Sequence, residues 1–347
     1  MRLEQLTFTR FIAAIAIVIF HYGKDSILFS NQYVSFIFQQ ANLGVSYFFV
    51  LSGFVMIIAY NNQNKIIFLD FVKNRIARIY PSYILAIVLM LCISLFKEFS
   101  TFDLALNIFM VQAWVAHKAM TINPPGWSLS VELFFYLTFP FLVNEFYKKF
   151  NFKIIFNVIV FIWIISQILF HLIINQKLKI PYYELKEVNY NPILHINQFF
   201  IGNLAGLIFL LKLKNKQKNY SPLIILIFLI LILILKTPSM FNYHNGLLAV
   251  VFATLIVLIS STASKITQFF SNNTFLFLGE ISFGMYIFQV PVWTLFSTYR
   301  MEKYFSFNRE SDATILFFIR LMILIAFASF SYLYIEKPLR HKIRSLF

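Results

Sequence analysis

Ten mainly apolar stretches follow one another along this chain, near residues 7–23, 43–60, 80–96, 127–147, 153–174, 193–211, 220–235, 243–261, 275–298 and 313–335. Each runs about 16 to 23 residues, close to the length of a helix that crosses the hydrocarbon core of a bilayer. The chain has 347 residues, 60% of them hydrophobic and only 12% charged, which excludes a soluble globular domain. The expected fold class is therefore all-α: a polytopic integral membrane bundle of about ten transmembrane helices. An eleventh apolar stretch, FDLALNIFMVQAWVA at 102–116, is short and carries Asp103, Asn107 and Gln112. It suits a re-entrant or interfacial segment better than a span.

Charge supports the same count. With ten spans and the N-terminus inside, 18 Lys and Arg fall on the cytoplasmic side and 10 outside, leaving Arg320 within the membrane. With eleven spans the same residues divide 14 to 14. The positive-inside bias selects ten spans with both termini cytoplasmic. The formal charge of +15 does not indicate nucleic acid, because the basic residues lie between apolar segments, as in the run KLKNKQKN at 212–219. One cysteine, Cys92, allows no internal disulfide and no thiolate cluster, and the six histidines show no metal-ligand spacing. No metal and no nucleic-acid partner are expected. The first segment lacks a small-residue cleavage site and is interrupted by Arg10, so it is expected to be retained. With only EKPLRHKIRSLF after Ile335, residues 1–347 are expected to form a single membrane domain without a fused soluble one.

Within this apolar framework a few polar residues stand out. Arg10 and His21 share the first segment, TRFIAAIAIVIFHY. Arginine at the bilayer centre costs roughly 2.5 kcal/mol or more on insertion scales, so such residues need a partner or a function. On an ideal helix the pair would lie about 16 Å apart and some 20° apart in azimuth, facing one way at different depths. The loop sequence KNRIARIYPSY sets Arg75 and Arg78 a turn apart just before the third span, with Lys73 close by, either as a topogenic pair or as a forked phosphate site. In NPPGWSLSVELFFY, at 123–136, a Pro-Pro-Gly turn opens a helix that carries Glu132 in its first two turns. By the ten-span topology that end faces outward, as does His21. A carboxylate meeting His21 would fix its tautomer and raise its basicity, and Trp127, Ser128 and Ser130 would line the same mouth. Arg320 is expected to find a buried partner in Glu280 or Glu132, while Glu336 and Lys337 are expected to pair locally and close the last helix. Small residues in NLGVSYFFVLSGFVM fit close helix packing.

Taken together, Arg10 with His21, GVSYFFVLSGF, RIARIYPSY, GWSLSVELFFY, FLGEISFGMYIFQVPV and YIEKPLR occur in an order that resembles the integral-membrane acyltransferase-3 family. The resemblance extends from residue 7 to about 340. It implies a membrane O-acyltransferase, typically an O-acetyltransferase, that moves an acyl group from cytoplasmic acyl-CoA, usually acetyl-CoA, to a hydroxyl of a cell-envelope carbohydrate or glycolipid. It also implies a location in the cytoplasmic membrane. Carried over residue by residue, it makes His21 the catalytic base with Arg10 as its paired motif residue. Glu132 becomes the motif glutamate, and Arg75 and Arg78, with Lys73 alongside, become the donor-binding cations. Trp127, Ser128, Ser130, Tyr286 and Gln289 would contact substrate. Gln289 departs from the pattern, since many relatives carry histidine there, which leaves hydrogen bonding rather than acid or base chemistry for this position. A transporter or flippase of a glycan or small metabolite is the alternative class that would also place ionisable residues in helices.

Overall fold

The computed structural model describes residues 4–60, 62–94, 100–179, 184–213, 218–237, 241–308 and 312–345. Helices coincide with all ten expected stretches. They are α1 (Gln5–Tyr22), α2 (Leu43–Tyr60), α3 (Phe68–Ile93), α4 (Gly126–Phe141), α5 (Phe152–Ile174), α6 (Pro192–Ile208), α7 (Ser221–Lys236), α8 (Ala249–Ser261), α9 (Asn273–Leu295) and α10 (Ala313–Ser331). Helices α4, α6 and α10 run on through single π turns, Leu142–Tyr147, Phe209–Leu213 and Tyr332–Glu336. Eight of these helices are long and apolar enough to cross a membrane, and α7 and α8 are shorter apolar helices. The fold is a polytopic helical membrane bundle. The middle of the 212–219 run, residues 214–217, lies outside the described residues.

The third helix departs from expectation at its start. Residues 68–79, expected as loop, are its first turns, so Arg75 and Arg78 are helical residues of α3 rather than loop residues before it. Of the charges that make this stretch look like loop, Arg75 and Arg78 are partly buried and Asp70 is exposed. Pro81 lies within α3 without ending it. The 102–116 segment, expected as re-entrant or interfacial, forms a short helix (Thr101–Ile108) and a 3₁₀ turn (Gln112–Trp114). Asn107 and Gln112 are fully buried, and the Tyr83 hydroxyl donates to the Asn107 carbonyl at 2.7 Å. Met110, His117 and Ile122 take left-handed backbone conformations, which non-glycine residues adopt only at a cost, and they turn the chain back under α4.

Helix approach is set by glycine where backbones nearly touch. A Cβ on Gly202 of α6 would stand 2.0 Å from the Val50 carbonyl oxygen of α2, and one on Gly279 of α9 would stand 2.0 Å from that of Thr7 of α1. No side chain fits at either place. Between helices without a hydrophobic drive in lipid, such close backbone packing supplies the dispersion contact that holds them. Around these crossings lies the core, with Phe54, Phe135, Phe139, Phe199 and Phe209 almost wholly buried and Phe135 stacked on Phe199 at 4.7 Å.

Candidate active site

The depth of each polar residue follows from contacts between helices. Thr7 meets Gly279, and the Tyr22 ring stacks on Trp293 at 4.4 Å, so α1 and α9 run parallel. Gly44 sits against Ala13 and Ile17, and the Thr9 and Tyr47 hydroxyls meet at 2.5 Å, so α2 runs opposite to α1. Asn123 donates to the Ile287 carbonyl at 3.1 Å, which sets the first turn of α4 beside the middle of α9, and Phe139 near its other end packs on Phe71 and Tyr60. Helix α4 therefore descends from the level of Tyr286 toward the end of the bundle where α1 begins.

This register carries Glu132 to the level of Arg10. Its Oε1 accepts from the Tyr136 hydroxyl at 2.5 Å and from Ser52 Oγ at 3.2 Å. Arg10 is within electrostatic reach of Arg78, Glu280, Glu336 and Glu132, and Arg78 is within reach of Tyr136, Glu132, Glu280 and Glu336. Ser82 Oγ donates to Glu336 Oε2 at 3.1 Å, and the Tyr332 hydroxyl donates to Glu280 Oε2 at 3.3 Å. Arg75 donates to the Tyr60 hydroxyl at 3.0 Å and lies 5.3 Å from the Tyr60 and Phe71 ring centroids, a cation–π arrangement. Its Nε is buried without a partner among the described residues. Arg10, Arg75, Arg78, Glu132 and Glu280 all keep partial exposure although they lie among packed helices. Arg75 and Arg78 are both within electrostatic reach of Tyr136, the donor to Glu132, so the structure brings Arg10, Arg75, Arg78 and Glu132 into one constellation. Two carboxylates that the sequence reading had not assigned to it, Glu280 and Glu336, belong as well.

His21 lies elsewhere. Eleven residues beyond Arg10, at about 1.5 Å each, put it roughly 16 Å away at the far end of α1. There it is exposed, with its ring against those of Phe20 and Tyr22 at 4.9 and 5.9 Å. The expected meeting of Glu132 with His21 is not what the fold provides: the carboxylate descends with α4 to the arginines, and the histidine stays at the opposite end. Lys73 is partly buried on α3, but two residues turn an α-helix by about 200°, which directs it away from the side that carries Arg75. Arg320 also departs from expectation. It donates to Thr298 Oγ1 at 3.2 Å, twelve residues of α10 away from the level where Tyr332 meets Glu280. Glu336 is 5% exposed and faces Ser82 and the arginines, so it does more than close the last helix.

The motif on α4 forms a second layer between these two ends. Ser128 Oγ lies 2.9 Å from the Tyr286 hydroxyl, and both bond the Pro125 carbonyl, at 3.0 and 3.2 Å. Gln289 is fully buried. Its Nε2 donates to the Tyr286 carbonyl at 2.7 Å, and its Oε1 has no partner among the described residues. Ser130 accepts a long bond from the Ala113 amide at 3.4 Å, a packing role beside the broken segment. Trp127 stands in a box of rings, 5.1 Å from Tyr190, 5.3 Å from His195 and 5.7 Å from His244.

That box includes two histidines, His195 and His244, that the sequence analysis did not place in a site. His195 Nε2 and His244 Nε2 both approach the Asn189 carbonyl oxygen, at 2.7 and 3.1 Å. A carbonyl only accepts, so both rings carry their proton on Nε2. His195 Nδ1 then accepts from Gln198 Nε2 at 2.8 Å, and Gln198 Oε1 accepts from Ser46 Oγ at 2.6 Å. On the other side, His244 Nδ1 accepts from Asn42 Nδ2 at 3.4 Å. Burial pushes the His244 imidazole down to about 4, against a smaller opposing effect of the Asn189 carbonyl, and keeps it neutral. The signal available in the sequence was the density of amides around one histidine, HINQFFIGN, inside an otherwise apolar helix.

Comparison with known proteins reinforces the motif reading. A family profile described as an acyltransferase domain matches residues 3–335. The O-acetyltransferase OatA of Staphylococcus aureus strain NCTC 8325 is 24% identical over an alignment covering 96% of this chain and 56% of that protein. Acyltransferase MdmB of Streptomyces mycarofaciens is 33% identical over 151 residues, 40% of this chain and 38% of that protein. The chain thus spans about half the length, or less, of these curated relatives. No solved structure matches.

Proposed function

The chain belongs to the integral-membrane acyltransferase-3 family, and from that premise we propose that it is an O-acetyltransferase of the cell envelope. It takes an acyl group, in the first place acetyl, from acyl-CoA on the cytoplasmic side and passes it to a carbohydrate hydroxyl on the outer side. The excess of Lys and Arg in the loops on the side of the termini supports a cytoplasmic N- and C-terminus in the cytoplasmic membrane. The observation that carries the reading is the arginine constellation. Arg10, Arg75 and Arg78 converge at half-accessible positions, and the Nε of Arg75 has no partner among the described residues. A forked cation site of this kind fits the phosphates of a CoA ester. In this reading Glu132, Glu280 and Glu336 hold the guanidinium groups in place, and Lys73 takes no direct part.

The reaction needs a base for the acceptor hydroxyl. His21, exposed at the outer end of α1, takes that proton as the acceptor oxygen attacks the thioester carbonyl. The carbon–sulfur bond then breaks, CoA leaves as the thiolate, and the proton on His21 is returned to it. A base so placed contributes about 10²–10⁴-fold. The Ser128 and Tyr286 hydroxyls, paired in the layer between the arginines and His21, suit stabilisation of the developing oxyanion.

Mass spectrometry of surface glycans tests this. Cells producing the wild-type chain should carry an alkali-labile acyl increment that cells producing His21→Ala lack. An equal increment in both would refute His21 as the base, and none in either would refute acyl transfer to the cell surface.

A further inference from the structure

Away from the arginine constellation, a cavity opens at the His21 end of the bundle. It measures about 370 Å³ and lies between Gln39, Gln40, Asn42 and Leu43, at the start of α2, and residues 241–244, ahead of α8. That volume is within the roughly 300–1,000 Å³ of small-molecule sites. Its position follows from the register, because Gly44 already packs beside Ala13 and Ile17 and the preceding residues lie further toward His21. Gln40 ties the wall to the end of α7 by donating to the Leu235 carbonyl at 3.2 Å.

The lining mixes amides with rings. Gln39, Gln40, Asn42 and Asn242 present side-chain amides, Phe241, Tyr243 and His244 present rings, and Leu43 adds an aliphatic side chain. No Asp, Glu, Lys or Arg lines the cavity among the described residues. Amides offer both donors and acceptors to hydroxyl groups, and ring faces offer apolar surface to the C–H side of a pyranose. The absence of charge disfavours a phosphate-bearing ligand and suits a neutral polyol. The cavity is also joined to the α4 motif. His244 forms part of its wall and of the ring box around Trp127, next to the Ser128–Tyr286 pair, and Asn42 bonds the same imidazole.

We propose that this cavity is the acceptor subsite, holding a neutral sugar unit of the glycan whose hydroxyl is acylated. The inference rests on the acyl-transfer reading above and adds to it the side, the residues and the chemical class of the acceptor. His244, kept neutral and fixed on its Nε2–H tautomer by Asn189, then serves as a positioning residue between the sugar and Trp127.

A blocking experiment on the full chain in cells tests the proposal without knowing the acceptor. In a Cys92→Ser background, Gln39→Cys provides one thiol on the cavity rim, and Tyr33→Cys, 77% exposed and outside the lining, serves as the control. Cells are treated with a bulky membrane-impermeant maleimide, and newly formed surface glycans are analysed for the acyl increment. Labelling at 39 is expected to reduce acylation at least about tenfold, equivalent to 1.4 kcal/mol, while labelling at 33 leaves it unchanged. Purified labelled Gln39→Cys protein should bind acetyl-CoA as the unlabelled protein does. Retained acylation, failure of the thiol at 39 to react from outside, equal loss at 33, or weakened acetyl-CoA binding would each overturn the proposal. Absence of the increment in unlabelled cells producing the Cys92→Ser parent chain would instead overturn the acyl-transfer reading on which it rests.

Discussion

Arg10 and Arg78 are like charges held near one another in a low-dielectric bundle, an arrangement that only neighbouring carboxylates make tolerable. Glu132 supplies one of them, and its geometry depends on Tyr136, which donates to the oxygen that also accepts from Ser52. Hydrogen bonds to charged groups contribute about 1.5–3 kcal/mol, so Tyr136→Phe is expected to destabilise the protein by about that amount. Glu132→Gln should cost a similar amount or more, because it leaves the arginines short of a counter-charge. The two act through one bond, and the double variant should therefore cost clearly less than the sum in equilibrium unfolding of the detergent-solubilised protein; additive costs would exclude the shared bond. His244 makes a different prediction. Its folded value near 4 lies below the ordinary 6.5 of histidine. The unfolded chain thus binds the proton first as pH falls, and the contribution of this neutral ring is complete above about 6.5 and lost progressively toward 4 at up to about 1.4 kcal/mol per pH unit. Thermal unfolding followed from pH 7 downward should show this slope, and His244→Gln, which retains an amide donor for Asn189, should flatten it.

At the scale of elements, the crossing of α2 and α6 depends on the absence of a side chain. Gly202→Ala would drive a methyl group into the Val50 carbonyl, and backbone cannot yield as a side chain does. Overpacking of this kind costs typically about 1–3 kcal/mol, and more where backbone is displaced. Gly284→Ala is the informative contrast, since its nearest neighbour would be the Ala328 Cβ at 3.1 Å, a contact relieved by a small shift of α10. Unfolding midpoints should fall markedly for the first and little for the second; equal falls would mean that the backbone approach is not what limits the crossing. Element existence was legible from apolar length alone, and all ten stretches are helices. The start of α3 was not. Asp70, Lys73, Arg75 and Arg78 give residues 68–79 the look of a loop, and only the partners of Arg75, the Tyr60 hydroxyl on α2 and the Phe71 ring one turn earlier on α3, show how a helix accommodates that charge. Depth register was equally illegible. The meeting of Glu132 with Arg10 rather than His21 is decided by Gly279 against Thr7 and Asn123 against Ile287, contacts between helices far apart in sequence that no local pattern encodes.

Across the whole molecule the polar residues sort into two ends with distinct chemistry. One end gathers Arg10, Arg78 and Arg340 around Glu132, Glu280 and Glu336, with Arg75 close to Tyr136, an assembly with cations in excess. The other end carries exposed His21 and a cavity lined by amides and rings. The resemblance grouped Arg75, Arg78 and Lys73 as donor-binding cations, but no motif could show that Lys73 turns away or that Glu280 and Glu336 lie beside the arginines. The separation itself yields a test. If the charged end binds the donor, acetyl-CoA affinity must depend on guanidinium groups and on ionic strength, whereas affinity for a neutral acceptor must depend on neither. Replacing both Arg75 and Arg78 with Ala removes two forked donors at about 1.5–3 kcal/mol each and should weaken acetyl-CoA binding in nanodiscs well over tenfold. Binding to the wild type should also weaken as sodium chloride rises, and this slope should be shallower in the double variant. Because alanine also strands the carboxylates, the Arg75→Lys, Arg78→Lys pair is the necessary companion. It keeps the charge that balances Glu132 and Glu336 and loses only the planar fork, so it should fold as the wild type does and bind with intermediate affinity. Wild-type affinity in the alanine pair would remove the donor from this end of the bundle, and a lysine pair as weak as the alanine pair would show that the fork, not the charge, holds the phosphate.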